Sequence, residues 1–173
     1  MTKTDRLLKI FASSLKIGGG ILTLKEIAFM MGESPSPKFT NFLANCVKKG
    51  IVFRVAQGVF ESALTPCSPV DVIYKIAKKI RNKSIIYISL ESQLSFTGRI
   101  SQIPMSRITI MTNGRKGVFN TPYGTIEFTH TKRKLSDIAD ELYMDNEICM
   151  YRASEKLALE DLKSTRRNKD MIC

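Results

Sequence analysis

The amino-acid sequence predicts an α+β protein of two domains, on three observations. Capped helical periodicities and a short hairpin pattern share residues 23–61, β-rich runs separated by turn signals fill residues 107–129, and Pro66, Ser68 and Pro69 interrupt the chain between them. A chain of 173 residues is long enough to bury two small cores. The expected domains are residues 1–65 and residues 66–173, the second a small mixed α/β unit with a β-meander and a C-terminal helix.

Near the start, Thr4 and Asp5 are suited to cap a helix that turns Leu7, Leu8, Phe11, Ala12 and Leu15 inward at helical spacing. Gly18-Gly19-Gly20 ends it, and Ile21-Leu22 forms a short extended piece able to pair with a hairpin. No Gly-Lys-Ser/Thr follows the glycines, so they read as a turn and not as a phosphate cradle. Thr23-Leu24-Lys25-Glu26 is a capping box, after which Leu24, Ile27, Ala28 and Met31 fall on one helical face. Gly32-Glu33-Ser34-Pro35 breaks that helix, because proline restricts the residue before it and donates no hydrogen bond. Ser36 as N-cap and Pro37 at the first helical position then open a second helix that runs until Gly50, a natural left-handed C-terminal cap.

Phe39, Phe42, Leu43, Cys46 and Val47 form the buried stripe of that second helix, leaving Lys38, Thr40, Asn41, Ala44, Asn45, Lys48 and Lys49 outside. Residues 51–55 and 59–61 flank Ala56-Gln57-Gly58 as strand, turn and strand. Two helices across a tight corner followed by a hairpin predict a winged helix-turn-helix, a shape that docks on double-stranded DNA. Asparagine can pair bidentately with adenine edges and lysine can reach guanine acceptors or phosphates. The candidate DNA-contacting residues are Ser36, Lys38, Thr40, Asn41, Asn45, Lys48 and Lys49 on the helix, with Arg54 and Gln57 on the wing. A solvated helix face, or a corner that docks protein, stands beside this reading.

A net charge of +11 favours polyanionic partners, nucleic acid first. Nine basic residues face four acidic ones in residues 1–65 and eighteen face twelve in the remainder, so charge alone does not select the DNA-binding half. Cys46, Cys67, Cys149 and Cys173 lack metal-ligand spacing, and one histidine, His130, accompanies them; no metal site is expected. Cys46 lies on an apolar stripe and reads as a small hydrophobe. Neither a secretory leader nor an apolar run of membrane-spanning length is evident, which predicts a cytoplasmic protein with reduced thiols and no membrane partner.

In the second half, Ser68-Pro69-Val70-Asp71 starts a helix with Ile73, Ala77 and Ile80 inward, residues 84–88 read as a buried strand, and residues 90–94 as a short helix. Residues 108–112, the Asn113-Gly114 turn signal, residues 117–119 and residues 125–129 are expected to form the meander. Ser136 and Asp137 open a final helical region in which Ala153, Leu157, Leu159 and Leu162 are inward, before a polar tail over residues 164–169. Asp137, Asp140, Glu141, Asp145 and Glu147 cluster without the separation that paired catalytic carboxylates need, and read as a solvated helix face. No nucleophile motif accompanies His130. The expectation is a protein without catalytic residues or cofactor.

Several strings in their order resemble the AbiEi-like family, the antitoxins of type IV toxin-antitoxin systems that double as repressors of their own operons. Asn45-Cys46-Val47-Lys48-Lys49-Gly50-Ile51-Val52-Phe53-Arg54-Val55 with Gly58-Val59-Phe60 resembles the family's last helix and wing, and Ser92-Gln93-Leu94 its small-residue helix after a strand. Gly98-Arg99-Ile100-Ser101-Gln102-Ile103-Pro104, Ile108 to Thr112, Tyr123-Gly124-Thr125-Ile126-Glu127-Phe128 and Ser154-Glu155-Lys156-Leu157-Ala158-Leu159-Glu160-Asp161 resemble later blocks. The resemblance implies an N-terminal domain that binds an operator, with or without inverted repeats, and a remainder that neutralises a cognate nucleotidyltransferase toxin. A toxin-independent transcription regulator and a protein-docking module are the alternatives, and the oligomeric state is left open.

Overall fold

The computed structural model of the chain describes residues 1–101 and 106–166. Gln102, Ile103 and Pro104 of the family-like string, the end of the expected polar tail and Cys173 lie outside the described residues. The chain is α+β, with seven α-helices and two β-sheets among the described residues, and divides into units Met1–Ile80 and Arg81–Cys173.

In the first unit, helix α1 (Lys3–Lys16) is capped two residues earlier than the sequence suggests. Thr2 Oγ1 accepts from the Asp5 amide and Asp5 Oδ2 from the Thr2 amide, since Asp5 stands at the third helical position where a capping box needs its acid. Strand β1 (Ile21–Thr23) leads into helix α2 (Leu24–Met30), whose capping box of Thr23 and Glu26 forms as the sequence indicates. Gly32, at a φ of +67°, lets the Glu33 amide bond the Ala28 carbonyl and ends the helix in a Schellman turn. Helix α3 (Pro37–Lys48) follows, with Ser36 Oγ accepting from the Phe39 amide, and Gly50 repeats the Schellman ending through an Ile51 amide to Cys46 carbonyl bond. Strands β2 (Val52–Ala56) and β3 (Val59–Ser62) make the hairpin, and β1 pairs antiparallel with β3 to give the sheet order β1-β3-β2.

Leu7, Phe11, Ile27, Ala28, Phe39, Leu43, Cys46 and Val52 form one core between these helices and the sheet. Helix α4 (Val72–Ile80) belongs with them: it buries Val72, Ile73, Ile76 and Ala77 and packs on β1, β2 and β3. The division therefore falls after Ile80, fifteen residues beyond the proline-marked position, because an amphipathic helix sides with the sheet that covers its apolar face and not with the nearest proline.

The second unit is a six-stranded sheet of order β6-β7-β5-β4-β9-β8. Its elements are β4 (Ile86–Ile88), α5 (Leu90–Phe96), β5 (Arg107–Thr112), β6 (Gly117–Thr121), β7 (Gly124–His130), α6 (Leu135–Ile138), a 3-10 turn (Ala139–Glu141), β8 (Leu142–Asp145), β9 (Met150–Ala153) and α7 (Glu155–Ser164). The expected meander is not formed. Strand β7 lies between β5 and β6 and runs parallel to β5, with Arg107 opposite Thr125 and Thr112 opposite His130. Two features override the Asn113-Gly114 signal. Asn113 continues the β4–β5 ladder, its Oδ1 accepting from the Ile85 amide at 2.9 Å and its own amide donating to the Ile85 carbonyl. Strand β5 is buried from Ile108 to Thr112 and demands neighbours on both sides, whereas β6 alternates half-buried and exposed and suits an edge.

The expected final helical region is likewise interrupted. A hairpin of β8 and β9 separates α6 from α7, because β9 pairs parallel with β4 and carries Arg152 to Asp145 Oδ2 at 2.6 Å. The acidic cluster is only in part a solvated face: Asp137, Asp140 and Glu147 are exposed, whereas Asp145 holds Arg152, and Glu141 accepts from the Ser154 hydroxyl and, at 2.8 Å, from Lys156 Nζ. The C-terminal helix is present, with Leu157, Ala158, Asp161 and Leu162 buried. Asp161 is fully buried, its Oδ2 accepting from Tyr87 Oη at 3.1 Å and Ser89 Oγ at 2.7 Å, with Arg133 Nε 3.4 Å from Oδ1. No helix among the described residues is long and apolar enough to cross a membrane.

Candidate nucleic-acid interface

Helix α3 is held from below by its buried stripe, Phe39, Leu43 and Cys46, with Phe42 and Val47 packed against the same core. That stripe fixes the rotation of the helix and so decides which side chains face water. Lys38, Thr40, Asn41, Ala44, Asn45, Lys48 and Lys49 are all exposed. At about 100° per residue, Lys38, Asn41, Asn45, Lys48 and Lys49 share a stripe roughly 100° wide. Thr40 falls well outside that stripe, and its hydroxyl donates to the Ser36 carbonyl at 3.1 Å. Ser36 is half-buried and its hydroxyl oxygen is engaged by the Phe39 amide, so both hydroxyls serve the helix start. Of the seven contacts expected on the helix, five share one face and two, Ser36 and Thr40, have hydroxyls bonded within its first turn.

On the hairpin, Arg54 and Gln57 are exposed, and Gly58 takes a φ of +69° at the turn. Helix α3 itself carries no acidic residue, and the nearby Glu33 is neutralised by Lys3, whose Nζ lies 2.9 Å from Glu33 Oε2. The same ammonium sits 4.4 Å from the centre of the Phe42 ring and 5.2 Å from that of Phe39. Lys3 therefore ties the start of α1 to the turn and to α3. Sequence reading missed this, since no local spacing links residue 3 to residues 33 and 42.

The chemistry available on this face is ammonium and guanidinium groups, which suit phosphate oxygens, and two carboxamides able to give and take hydrogen bonds in one plane. Two exposed aromatics accompany it. Phe29, 84% exposed, ends α2 beside the turn, and Phe53 is half-exposed on the hairpin. Phe29 was legible as an outward residue, because it falls off the Ile27-Ala28-Met31 stripe.

Cys46 is buried, and desolvation pushes its thiol above the ordinary value. Burial, then the nearby Glu61 carboxylate, pushes the Cys67 thiol up to about 11. Both are inert packing groups at neutral pH. Among the described residues no three His, Cys, Asp or Glu side chains converge as a metal site.

No family model and no curated protein matches the chain. Among solved structures it is similar to the crystal structure of the RV2827C protein from Mycobacterium tuberculosis, with a TM-score of 0.52 at 10% identity, over 95% of this chain and 53% of that one. The chain spans about half the length of that protein, and a likeness at this identity speaks to the fold alone.

Proposed function

We propose that the chain is a DNA-binding transcriptional repressor of the AbiEi-like antitoxin type, acting in the cytoplasm on the operator of its own operon, and that its first unit is a winged helix-turn-helix. The observation that carries this reading is the outer stripe of α3: Lys38, Asn41, Asn45, Lys48 and Lys49 exposed together on a helix without an acid, followed by a hairpin that exposes Arg54 and Gln57. The order of α2, corner, α3 and hairpin is that of a recognition helix preceded by its positioning helix and followed by a wing. A gel-shift titration of the full chain against the DNA upstream of its gene tests the proposal. A specific complex at low salt is expected, and its absence across a range of salt concentrations would sink the reading.

A second reading, protein docking by the second unit, has its own support. Strand β8 is an edge of the six-stranded sheet, and Met144 on it and Tyr151 opposite on β9 are exposed cross-strand neighbours. An open edge with an apolar pair beside it offers a template for another chain's strand. In the antitoxin setting that chain is the cognate nucleotidyltransferase toxin. Co-expression with a neighbouring toxin gene decides it: rescue abolished in Met144→Asp/Tyr151→Asp supports docking here, and rescue untouched by that pair argues against it.

A further inference from the structure

The parallel strands β5 and β7 end side by side, and each hands over at once to a basic pair, Arg115-Lys116 after β5 and Lys132-Arg133 after β7. The two loops are tied together, since His130 Nδ1 lies 2.8 Å from the Gly114 carbonyl and the Thr131 amide donates to the Thr112 carbonyl at 2.8 Å. Between them and the end of α7 opens a recess of about 1010 Å³, which Ser164 and Thr165 also line. Among the described residues no acidic side chain lines it. The last carbonyls of α7 are already answered, by Ser164 Oγ to the Asp161 carbonyl at 2.9 Å and by Thr165 Oγ1 to the Asp161 and Leu162 carbonyls.

The cations are not equivalent. Arg133 is committed, 3.4 Å from Asp161 and 3.5 Å from Glu160. Arg115, Lys116 and Lys132 are exposed and make no ion pair among the described residues. The loop bearing two of them is nevertheless positioned: Arg81 donates to the Arg115 carbonyl from Nε at 3.1 Å and from Nη2 at 2.9 Å, and its guanidinium lies over Phe128 and Phe119. Three uncommitted cations on a braced pair of loops, at the carboxyl ends of parallel strands, match the demands of a ligand with clustered phosphates.

We propose that this recess binds a nucleoside di- or triphosphate through its phosphates, held by Arg115, Lys116 and Lys132. An open recess between two loops and a helix end gathers the cations around one point, whereas duplex DNA presents its phosphates as a long strip. The site lies in the second unit and does not depend on the DNA-binding reading of the first. Calorimetric titration of the full chain with ATP, with inorganic pyrophosphate and with a short single-stranded oligonucleotide tests it. ATP and pyrophosphate are expected to bind, and Lys116→Gln/Lys132→Gln, two exposed substitutions checked for folding by circular dichroism, is expected to weaken ATP by at least about tenfold, the effect of removing charge-assisted hydrogen bonds. No heat with ATP at millimolar concentration overturns the proposal, as does ATP binding that survives unchanged in a folded double variant. Oligonucleotide binding that the folded double variant loses, with no binding of ATP, also overturns it, assigning the loops to nucleic acid.

Discussion

Glu26 and Lys79 meet at 2.5 Å, and the ion pair joins two elements 53 residues apart within the first unit. One carboxylate oxygen of Glu26 accepts from the Thr23 amide at 2.8 Å and hydroxyl at 3.0 Å, closing the capping box of α2, while the other accepts from Lys79 Nζ on α4. The residue that starts the positioning helix of the proposed winged helix is thus also the anchor of the helix that closes the unit.

Glu26→Gln should therefore cost about 0.5–1 kcal/mol, a partly exposed ion pair, while Glu26→Ala should cost about 1–2 kcal/mol by removing the cap as well. Burial pushes the Glu26 carboxyl up, but its bonds from Lys79 and Thr23 outweigh that and hold it below the ordinary value of 4.5. A depressed acid contributes stability that is present above its unfolded value and lost as pH falls through its folded value. Urea melts at pH 7 and pH 3 should show the difference between wild type and Glu26→Gln shrinking at the lower pH. A difference unchanged across that range would mean that Lys79 does not act through this carboxylate.

For the outer face of α3, binding of the full chain to DNA should weaken steeply with salt. Removing Lys48, Lys49 or Arg54 should lower the log–log slope by about one unit for each phosphate that the variant no longer neutralises. Fluorescence anisotropy at four or five salt concentrations reads this directly. Slopes identical to wild type in all three variants would place the phosphate-binding cations elsewhere.

Asn41→Ala and Asn45→Ala should act differently, on sequence preference more than on the salt slope. If either carboxamide pairs bidentately with a base, discrimination between operator and scrambled DNA should fall by roughly 1–3 kcal/mol. Thr40→Ala should leave discrimination intact, because its hydroxyl is already bonded to the Ser36 carbonyl. Competition titrations with scrambled DNA separate the three variants.

In the second unit, Asp161→Ala should destabilise by about 2–3 kcal/mol, since Tyr87, Ser89 and Arg133 are deprived of a shared acceptor in a dry interior. Burial raises the Asp161 carboxyl above its ordinary value against the opposing pull of Ser89, Tyr87 and Arg133. A raised acid costs stability as pH climbs from its unfolded to its folded value, so Asp161→Asn should compare better with wild type at pH 7 than at pH 3. Thermal melts of both variants at the two pH values check the sign.

Gly50→Ala should cost about 1 kcal/mol, from the left-handed φ of +67° alone, because an added Cβ there meets nothing within 4 Å. Gly20→Ala should cost more: its φ is +98°, and the new Cβ would stand 2.5 Å from Cys67 Sγ. Chemical denaturation of the two variants should rank them in that order.

The boundaries of α2 and α3 were legible because each rests on neighbours in sequence: Thr23 with Glu26, Ser36 with Pro37, Gly50 after Lys49. The exposed stripe of α3 was legible for the same reason, since Phe39, Leu43 and Cys46 fix the helix rotation by periodicity. Lys3 on Phe42, and the Arg115-Lys116 and Lys132-Arg133 pairs around one cavity, were not, because residues distant in sequence meet there only through packing. The meander illustrates the limit. Asn113-Gly114 is a hairpin signal by local propensity, and pairing of Asn113 with Ile85 overrode it.

Local chemistry thus settled the caps of α2 and α3 and the charge that α3 exposes, since those choices depend on backbone conformations and hydrogen bonds within a few residues. Strand order, the parallel pairing of β5 with β7, the place of α4 with the first unit and the burial of Asp161 came from the folded chain. Each depends on which apolar faces compete for cover, and that competition is resolved by packing among residues tens of positions apart.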